Sequence, residues 1–373
     1  MKKRSWLAAC AAVALQGALC TPWSALAQAS IPIGAVLPLT GPSATIGEDI
    51  RRGIMLGVDE VNANGGVLGK KLALIVEDSA NNPSTALTAA RKLATVDKVP
   101  AVIGEYSSSI TLPMAQYLVK EGVAHVNIGS SSTKVRALGG SAYSLIGLED
   151  AGNRHAARDT YGMGWRKIAV IVPNNAFGQG VAEGFRHEFE KLGGKVLAQV
   201  LYAGGQSSYR RELQQLARSK PDAYLYSAYG QESAVINRES KELGLRQVPW
   251  YAYIMSMCVS DTPADNVEGQ IGMEVGAAKG ELGKAYETAF RARHKEGFKS
   301  AFNGYGYDAV RMLAAALTQA KGSSSADVQR GLKEVGAGGF VGVTGTIAFD
   351  AEGQRIDPPY DKLRYQGGRL VPR

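Results

Sequence analysis

The chain has 373 residues, 42 of them Lys or Arg and 34 Asp or Glu, for a formal charge of +8. That length is too great for one core and points to about two domains at ~150 residues each, while 45% hydrophobic and 20% charged residues exclude a disordered or collagen-like chain. The basic residues are interspersed with acids and form no run, which argues against a nucleic-acid surface.

Met1-Lys2-Lys3-Arg4 is a short basic start, and Leu7 to Leu19 is apolar apart from Gln16. Ala25-Leu26-Ala27 supplies small residues at the −3 and −1 positions of a cleavage site. Residues 1–27 therefore read as a cleaved secretory signal peptide, too short to span a membrane, and a periplasmic location is expected. Cys20 follows Gly17-Ala18-Leu19, a poor lipidation box because Leu stands where a small residue is wanted. Cleavage leaves 39 basic against 34 acidic residues, +5. It also leaves Cys258 alone, so no internal disulfide is expected. The four His (His125, His155, His187, His294) are scattered, so no structural metal is expected. No later stretch approaches ~18 continuous apolar residues.

Strand and helix patterns then alternate. Ile33 to Leu37 reads as a buried strand, and Asp49 to Asn62 as a helix with apolar residues at Ile50, Ile54, Val58 and Val61, stopped by Asn64-Gly65-Gly66. Leu72 to Val76 is a strand; Asn82-Pro83-Ser84 opens a helix; Ala101 to Gly104 is a strand; Ile110 to Lys120 is a helix; Ala124 to Ile128 is a strand. The pattern restarts with strand 167–172, helix 180–192, strand 196–201, helix 209–217, strand 222–226, helix 232–243 and strand 248–251. Helices at 281–294, 305–319 and 326–335 follow, then short strands within 342–350 and 361–370. Such alternation predicts an α/β protein of two doubly wound parallel-sheet lobes.

Ligands of open parallel sheets bind beyond the carboxyl ends of the strands. Two such ends carry serine runs: Glu105-Tyr106-Ser107-Ser108-Ser109 after strand 101–104, and Gly129-Ser130-Ser131-Ser132-Thr133 after strand 124–128. Each puts hydroxyls and free N–H groups at a helix start, a place for one carboxylate or small anion. A single run of this kind is more often a helix cap; two on consecutive strand ends favour a ligand. Neither run has the form of a nucleophile elbow, and His125 lies inside a strand, which argues against a serine hydrolase. No G-x-G-x-x-G follows the first strand, and no cofactor is expected. Aromatics gather at the matching ends of the second lobe: Phe177, Tyr226, Tyr229, Trp250, Tyr251 and Tyr253. Together the two lobes suit a small molecule with one acidic and one apolar end.

The opening Ile33-Gly34-Ala35-Val36-Leu37-Pro38-Leu39-Thr40-Gly41-Pro42, the helix exit Val61-Asn62-Ala63-Asn64-Gly65-Gly66-Val67-Leu68-Gly69, the run from Val102 to Ser109 with Thr111 and Pro113, and the turn from Asn174 to Gly180 resemble the leucine/isoleucine/valine-binding family of type I periplasmic solute-binding proteins of ABC transporters. The likeness runs over about residues 31–370. It implies a three-strand hinge between an N-terminal lobe (31–149 plus 276–350) and a C-terminal lobe (150–275 plus 351–373). It implies no enzymatic activity, a monomer, and permease subunits as partners. Carried over residue by residue, Ser108 would bind the ligand carboxylate, and Gly129 and Ser131, with Ser130 between them, would complete the polar contacts. Ile46 matches an aromatic position on the first loop, Phe177 the stacking ring of the second lobe, and Tyr229 a cleft tyrosine; Tyr106 and Tyr253 are placed with them.

The sequence departs from that pattern in places. Amino-acid binders of the family carry an acid just after the strand near 248–252 to pair with the α-ammonium, and here Tyr251-Ala252-Tyr253-Ile254-Met255 holds none. Glu105, Glu149 and Glu232 are the acids left to substitute. Leu145 and Ile146 stand where many relatives have Arg, and Asn81 and Ser107 where many have a disulfide. An unpaired ammonium in a closed cleft is costly, so branched-chain amino acids and aromatic or aliphatic acids both stand as ligand classes. Transport and ligand sensing share this fold, and the sequence leaves both open.

Overall fold

The structure is a computed structural model that describes residues 30–373. The proposed signal peptide lies outside the described residues.

The first sheet uses β1 (Ile31–Leu37), β2 (Leu72–Asp78), β3 (Ala101–Gly104), β4 (Ala124–Asn127) and β5 (Ala142–Ser144), all parallel, in the order β2-β1-β3-β4-β5. The crossovers are α1 (Ala44–Ala63), α2 (Pro83–Thr95) and α3 (Ser108–Lys120). Helix α1 buries Ile46, Ile50, Ile54 and Val58 at four-residue intervals, one apolar stripe. It stops where Gly66, at φ 74, takes a left-handed turn and donates its N–H to Val61 O at 2.9 Å. Asn82 caps α2 by accepting from Ser84 N and Thr85 N.

The chain then enters a second unit through α4 (Glu149–Gly162). Its strands are β6 (Lys167–Pro173), β7 (Lys195–Tyr202), β8 (Ala223–Tyr226), β9 (Trp250–Tyr253) and β10 (Ile271–Val275), joined by α5 (Ala176–Lys191), α6 (Arg210–Ala217), α7 (Gly230–Glu242) and the short α8 (Met255–Val259). The parallel part runs β7-β6-β8-β9-β10, which repeats the order of the first sheet. Helices α9 (Gly280–His294), α10 (Phe302–Ala320) and α11 (Ser325–Gly338) return to the first unit, where α10 packs on α1 and on α11. A hairpin, β11 (Phe340–Gly342) and β12 (Gly345–Ile347), follows. The tail, β13 (Tyr360–Gln366) and β14 (Arg369–Pro372), adds antiparallel to β10. The second sheet is thus mixed rather than purely parallel.

Buried Arg355 fastens the passages between the units. Its guanidinium donates to Leu145 O at 3.0 Å, Thr344 O at 2.9 Å and Thr346 O at 2.8 Å. Elsewhere the units touch directly: Thr45 Oγ1 donates to Asp261 Oδ1 at 2.7 Å, and Ala176 N to Ser109 Oγ at 3.2 Å. No helix among the described residues is long and apolar enough to cross a membrane.

Candidate functional site

The carboxyl ends of five parallel strands meet between the units. Tyr106 and Ser108 follow β3, Gly129 and Ser131 follow β4, Phe177 follows β6, Tyr229 follows β8, and Ile254 and Met257 follow β9. These eight residues line one cavity of about 10 Å³. That is room for about one water, so a guest enters only when the units part or the wall side chains turn.

The polar side is built from the backbone up. Asn127, fully buried at the end of β4, accepts from Gly129 N at 3.2 Å and Ser130 N at 2.8 Å, and donates to Ser130 O at 2.7 Å and Ser144 Oγ at 2.8 Å. It thereby folds the turn that presents Gly129 and Ser131. Gly129 has no room for a side chain: a Cβ there would lie 2.9 Å from Tyr106 Cα. Ser130 does not line the cavity; its hydroxyl donates to Ser108 Oγ at 3.0 Å, and Ser132 N donates to the same oxygen at 3.3 Å. Ser108 opens α3, where Ser107 makes no side-chain cap bond; Ser132 likewise makes none at the 3₁₀ turn it precedes. The serines are therefore not occupied as helix caps, and Ser108 stands at the positive end of a 13-residue helix.

His125 offers Ser108 no base. It is buried in β4 with Nε2 against Gly104 O, and burial depresses its pKa to about 4.

The opposite side is apolar. The Phe177 ring lies 6.1 Å from Tyr229 and 6.0 Å from Tyr253, and Tyr229 meets Tyr106 edge-on at 5.8 Å. Burial pushes the phenols of Tyr106 and Tyr229 above their ordinary range, so both are neutral. Tyr229 accepts from Asn175 Nδ2 at 3.4 Å, while the buried Tyr106 hydroxyl has no partner among the described residues. Tyr253 supports this wall from behind, with its hydroxyl donating to Glu149 O at 3.3 Å. Ile46 lies in the first turn of α1, buried in the core and outside the cavity. The sequence pattern starts that helix at Asp49, but it begins at Ala44, which turns Ile46 inward.

Ile254 and Met257 complete the wall, and Ile254 was not among the expected site residues. Ile254 occupies the position directly after β9 and holds φ 68, a strained conformation for a β-branched residue. The apolar Ile254 thus stands where the family pattern would put an acid. Among the described residues no charged side chain lines the cavity. The three candidate acids face elsewhere. Glu105 accepts from Ser79 Oγ at 2.8 Å and Ser107 N at 2.6 Å. Glu149 accepts from Thr133 N at 3.0 Å. Glu232 accepts from Tyr202 hydroxyl and Gly205 N, both at 3.1 Å. Burial raises all three, Glu105 and Glu149 to about 7.

A larger groove of about 760 Å³ runs between α1, α9 and α10. It flanks helices rather than strand ends and has none of the converging donors, so its size does not make it the site.

The sequence profile described as "Periplasmic binding protein" matches residues 30–369. Leu/Ile/Val-binding protein homolog 1 of Brucella abortus (strain 2308) is 27% identical over 349 residues, 92% of this chain and 92% of the relative. Among solved structures, the leucine-binding protein LivK of Thermotoga maritima superposes with a TM-score of 0.84 at 22% identity, covering 92% of this chain and 97% of that one. A solute-binding protein of R. palustris in complex with benzoate superposes with a TM-score of 0.83 at 20% identity, covering 92% and 95%. At such identities these superpositions establish the fold.

Proposed function

The chain belongs to the periplasmic binding protein family, whose members bind solutes and do no chemistry on them, and we propose that it is the solute-binding component of an ABC uptake transporter. Its guest is a small carboxylate held in the cavity between the two units. Ser108, Ser131 and the N–H groups heading α3 grip the carboxylate; Phe177, Tyr229, Ile254 and Met257 cover the apolar end. Residues 31–149 plus 276–350 and residues 150–275 plus 351–373 act as the two lobes of a hinge. Opening admits the guest, closure excludes water, and the closed form is what a permease receives.

The observation that carries the ligand class is the absence of any carboxylate on the cavity wall, with Glu105, Glu149 and Glu232 bound to protein donors. An α-ammonium shut in there has no counter-charge. We infer that aromatic or branched aliphatic acids without an amine bind more tightly than leucine. Both ligand types occur among proteins of this fold, as the isoleucine complex of LivJ from Streptococcus pneumoniae and the benzoate complex illustrate. Calorimetric titration with leucine, isoleucine, benzoate, 4-hydroxybenzoate and 4-methylpentanoate tests the order. Binding of only the α-amino acids overturns the ligand class; heat release from none of the five overturns the carboxylate reading itself.

A further inference from the structure

The seam between α4 and α5 holds a second hollow, about 350 Å³, that the carboxylate site does not use. Glu149 and Asn153 of α4, Glu183, His187 and Glu188 of α5, and Thr133 from the serine loop line it, and no lysine or arginine does. Glu149 and Asn153 are 3% and 1% exposed. Four residues apart, they share one helix face. That face meets Gly180 and Gly184, also four apart: a Cβ at Gly180 would lie 2.0 Å from Glu149 Oε1, and one at Gly184 2.1 Å from Asn153 Nδ2. The glycines are what allow these two polar groups to seat.

Each group is only half satisfied. Glu149 Oε1 accepts from Thr133 N at 3.0 Å, and Asn153 Nδ2 donates to Gly180 O at 3.1 Å. Glu149 Oε2 and Asn153 Oδ1 have no partner among the described residues. Two buried acceptors without a donor are costly and rare in native folds. An ammonium, with three donors and no acceptor, can complete both. No group of three His, Cys, Asp or Glu among the described residues is placed to hold a metal ion, which favours an organic cation. Further out, Asp150 is taken by Arg136 at 3.3 Å and Glu188 by Lys191 at 2.9 Å, while Glu183 enters no ion pair among the described residues. A hollow of this size with a buried acceptor pair and the exposed carboxylate of Glu183 on its wall fits a chain with two cationic ends.

We propose that the α4–α5 seam binds an aliphatic diammonium, one ammonium donating to Glu149 Oε2 and Asn153 Oδ1 and the other lying beside Glu183. Burial holds the Glu149 carboxyl up at about 7, and an ammonium at Oε2 keeps it ionised. The hollow shares no lining residue with the carboxylate cavity, although Glu149 N donates to Ser131 O at 2.6 Å.

The test is calorimetry on the full chain at low ionic strength with 1,4-diaminobutane, with butylamine and Mg²⁺ as controls. Diaminobutane is expected to bind at least fivefold more tightly than butylamine. Its affinity falls at least tenfold in Glu149→Gln and at least threefold in Glu183→Gln. Glu183 is exposed, so Glu183→Gln decides the matter should Glu149→Gln fail to fold. No diamine binding at millimolar concentration, unchanged affinity in Glu183→Gln, or preferential binding of Mg²⁺ overturns the proposal.

Discussion

The two sheets share one strand order and carry opposite chemistry at the same ends. The first sheet ends in Ser108, tied to Ser130 and Ser132, and in Gly129 and Ser131, set by the hydrogen bonds of Asn127. The second ends in Phe177, Tyr229, Ile254 and Met257, set by ring packing. A scaffold that fixes where loops emerge leaves their chemistry free. Hydrogen-bonding loops demand exact donors and tolerate little change, whereas an apolar wall accepts related shapes at modest cost.

Beneath each face lies one buried carboxyl. Glu105 accepts from Ser107 N, next to Ser108; Glu274 accepts from Ser256 N, next to Met257, at 2.6 Å. Burial raises each from 4.5 to about 7. A carboxyl raised on folding favours the native state below its unfolded pKa, and that advantage is lost as pH climbs through the folded value. Stability is therefore expected to fall between pH 4.5 and 7. Glu105→Gln, which keeps an acceptor for Ser107 N, recovers up to about 3 kcal/mol at pH 7.5 and flattens the slope. Denaturant titrations at pH 5 and 7.5 check this; an unchanged slope shows that Glu105 titrates normally.

Ser108→Ala tests the polar face itself. Loss of one charge-assisted hydrogen bond is worth about 1.5–3 kcal/mol, so the carboxylate affinity drops about tenfold to 150-fold by calorimetry; the melting temperature falls as well, because Ser130 Oγ and Ser132 N lose their acceptor. Unchanged affinity removes Ser108 from the site.

Phe177→Leu tests the apolar face with a smaller expected effect. Ring–ring contacts contribute about 0.5–1.5 kcal/mol beyond burial, so benzoate weakens about two- to twelvefold while 4-methylpentanoate changes less. Equal losses for both acids refute stacking on Phe177.

The smallest effect concerns Cys258, buried behind the same wall with Sγ 4.0 Å from Tyr226 O and Tyr253 O. Burial pushes its thiol up to about 12, so a thiol reagent at pH 8 labels it only after denaturation. Rapid labelling of the native protein shows that the wall opens more readily than its packing implies.

The alternation of strands and helices and both serine runs were legible because apolar runs and hydroxyl clusters stand out against their flanks. Helix α4 was not: its buried positions are Glu149, Gly152, Asn153, Ala156, Ala157, Asp159 and Thr160, so its inner face has no apolar stripe to read. Strand β10 hides for a similar reason, since Glu274 breaks an otherwise apolar run. Within the site, Ile254 was missed because its position depends on where β9 ends, two residues beyond the expected Tyr251. Ile46 was misplaced by a helix start, and Ser130 by the turn that points it at Ser108 instead of the cavity. Residue type carried the chemistry; side-chain direction required the fold.

A crystal structure with the tightest-binding acid from the panel bears on the central claim most directly. The account predicts carboxylate oxygens within hydrogen-bond distance of Ser108 and Ser131, with the apolar end against Phe177 and Tyr229. A guest seated instead in the groove between α1, α9 and α10, with the strand-end cavity still shut, contradicts it.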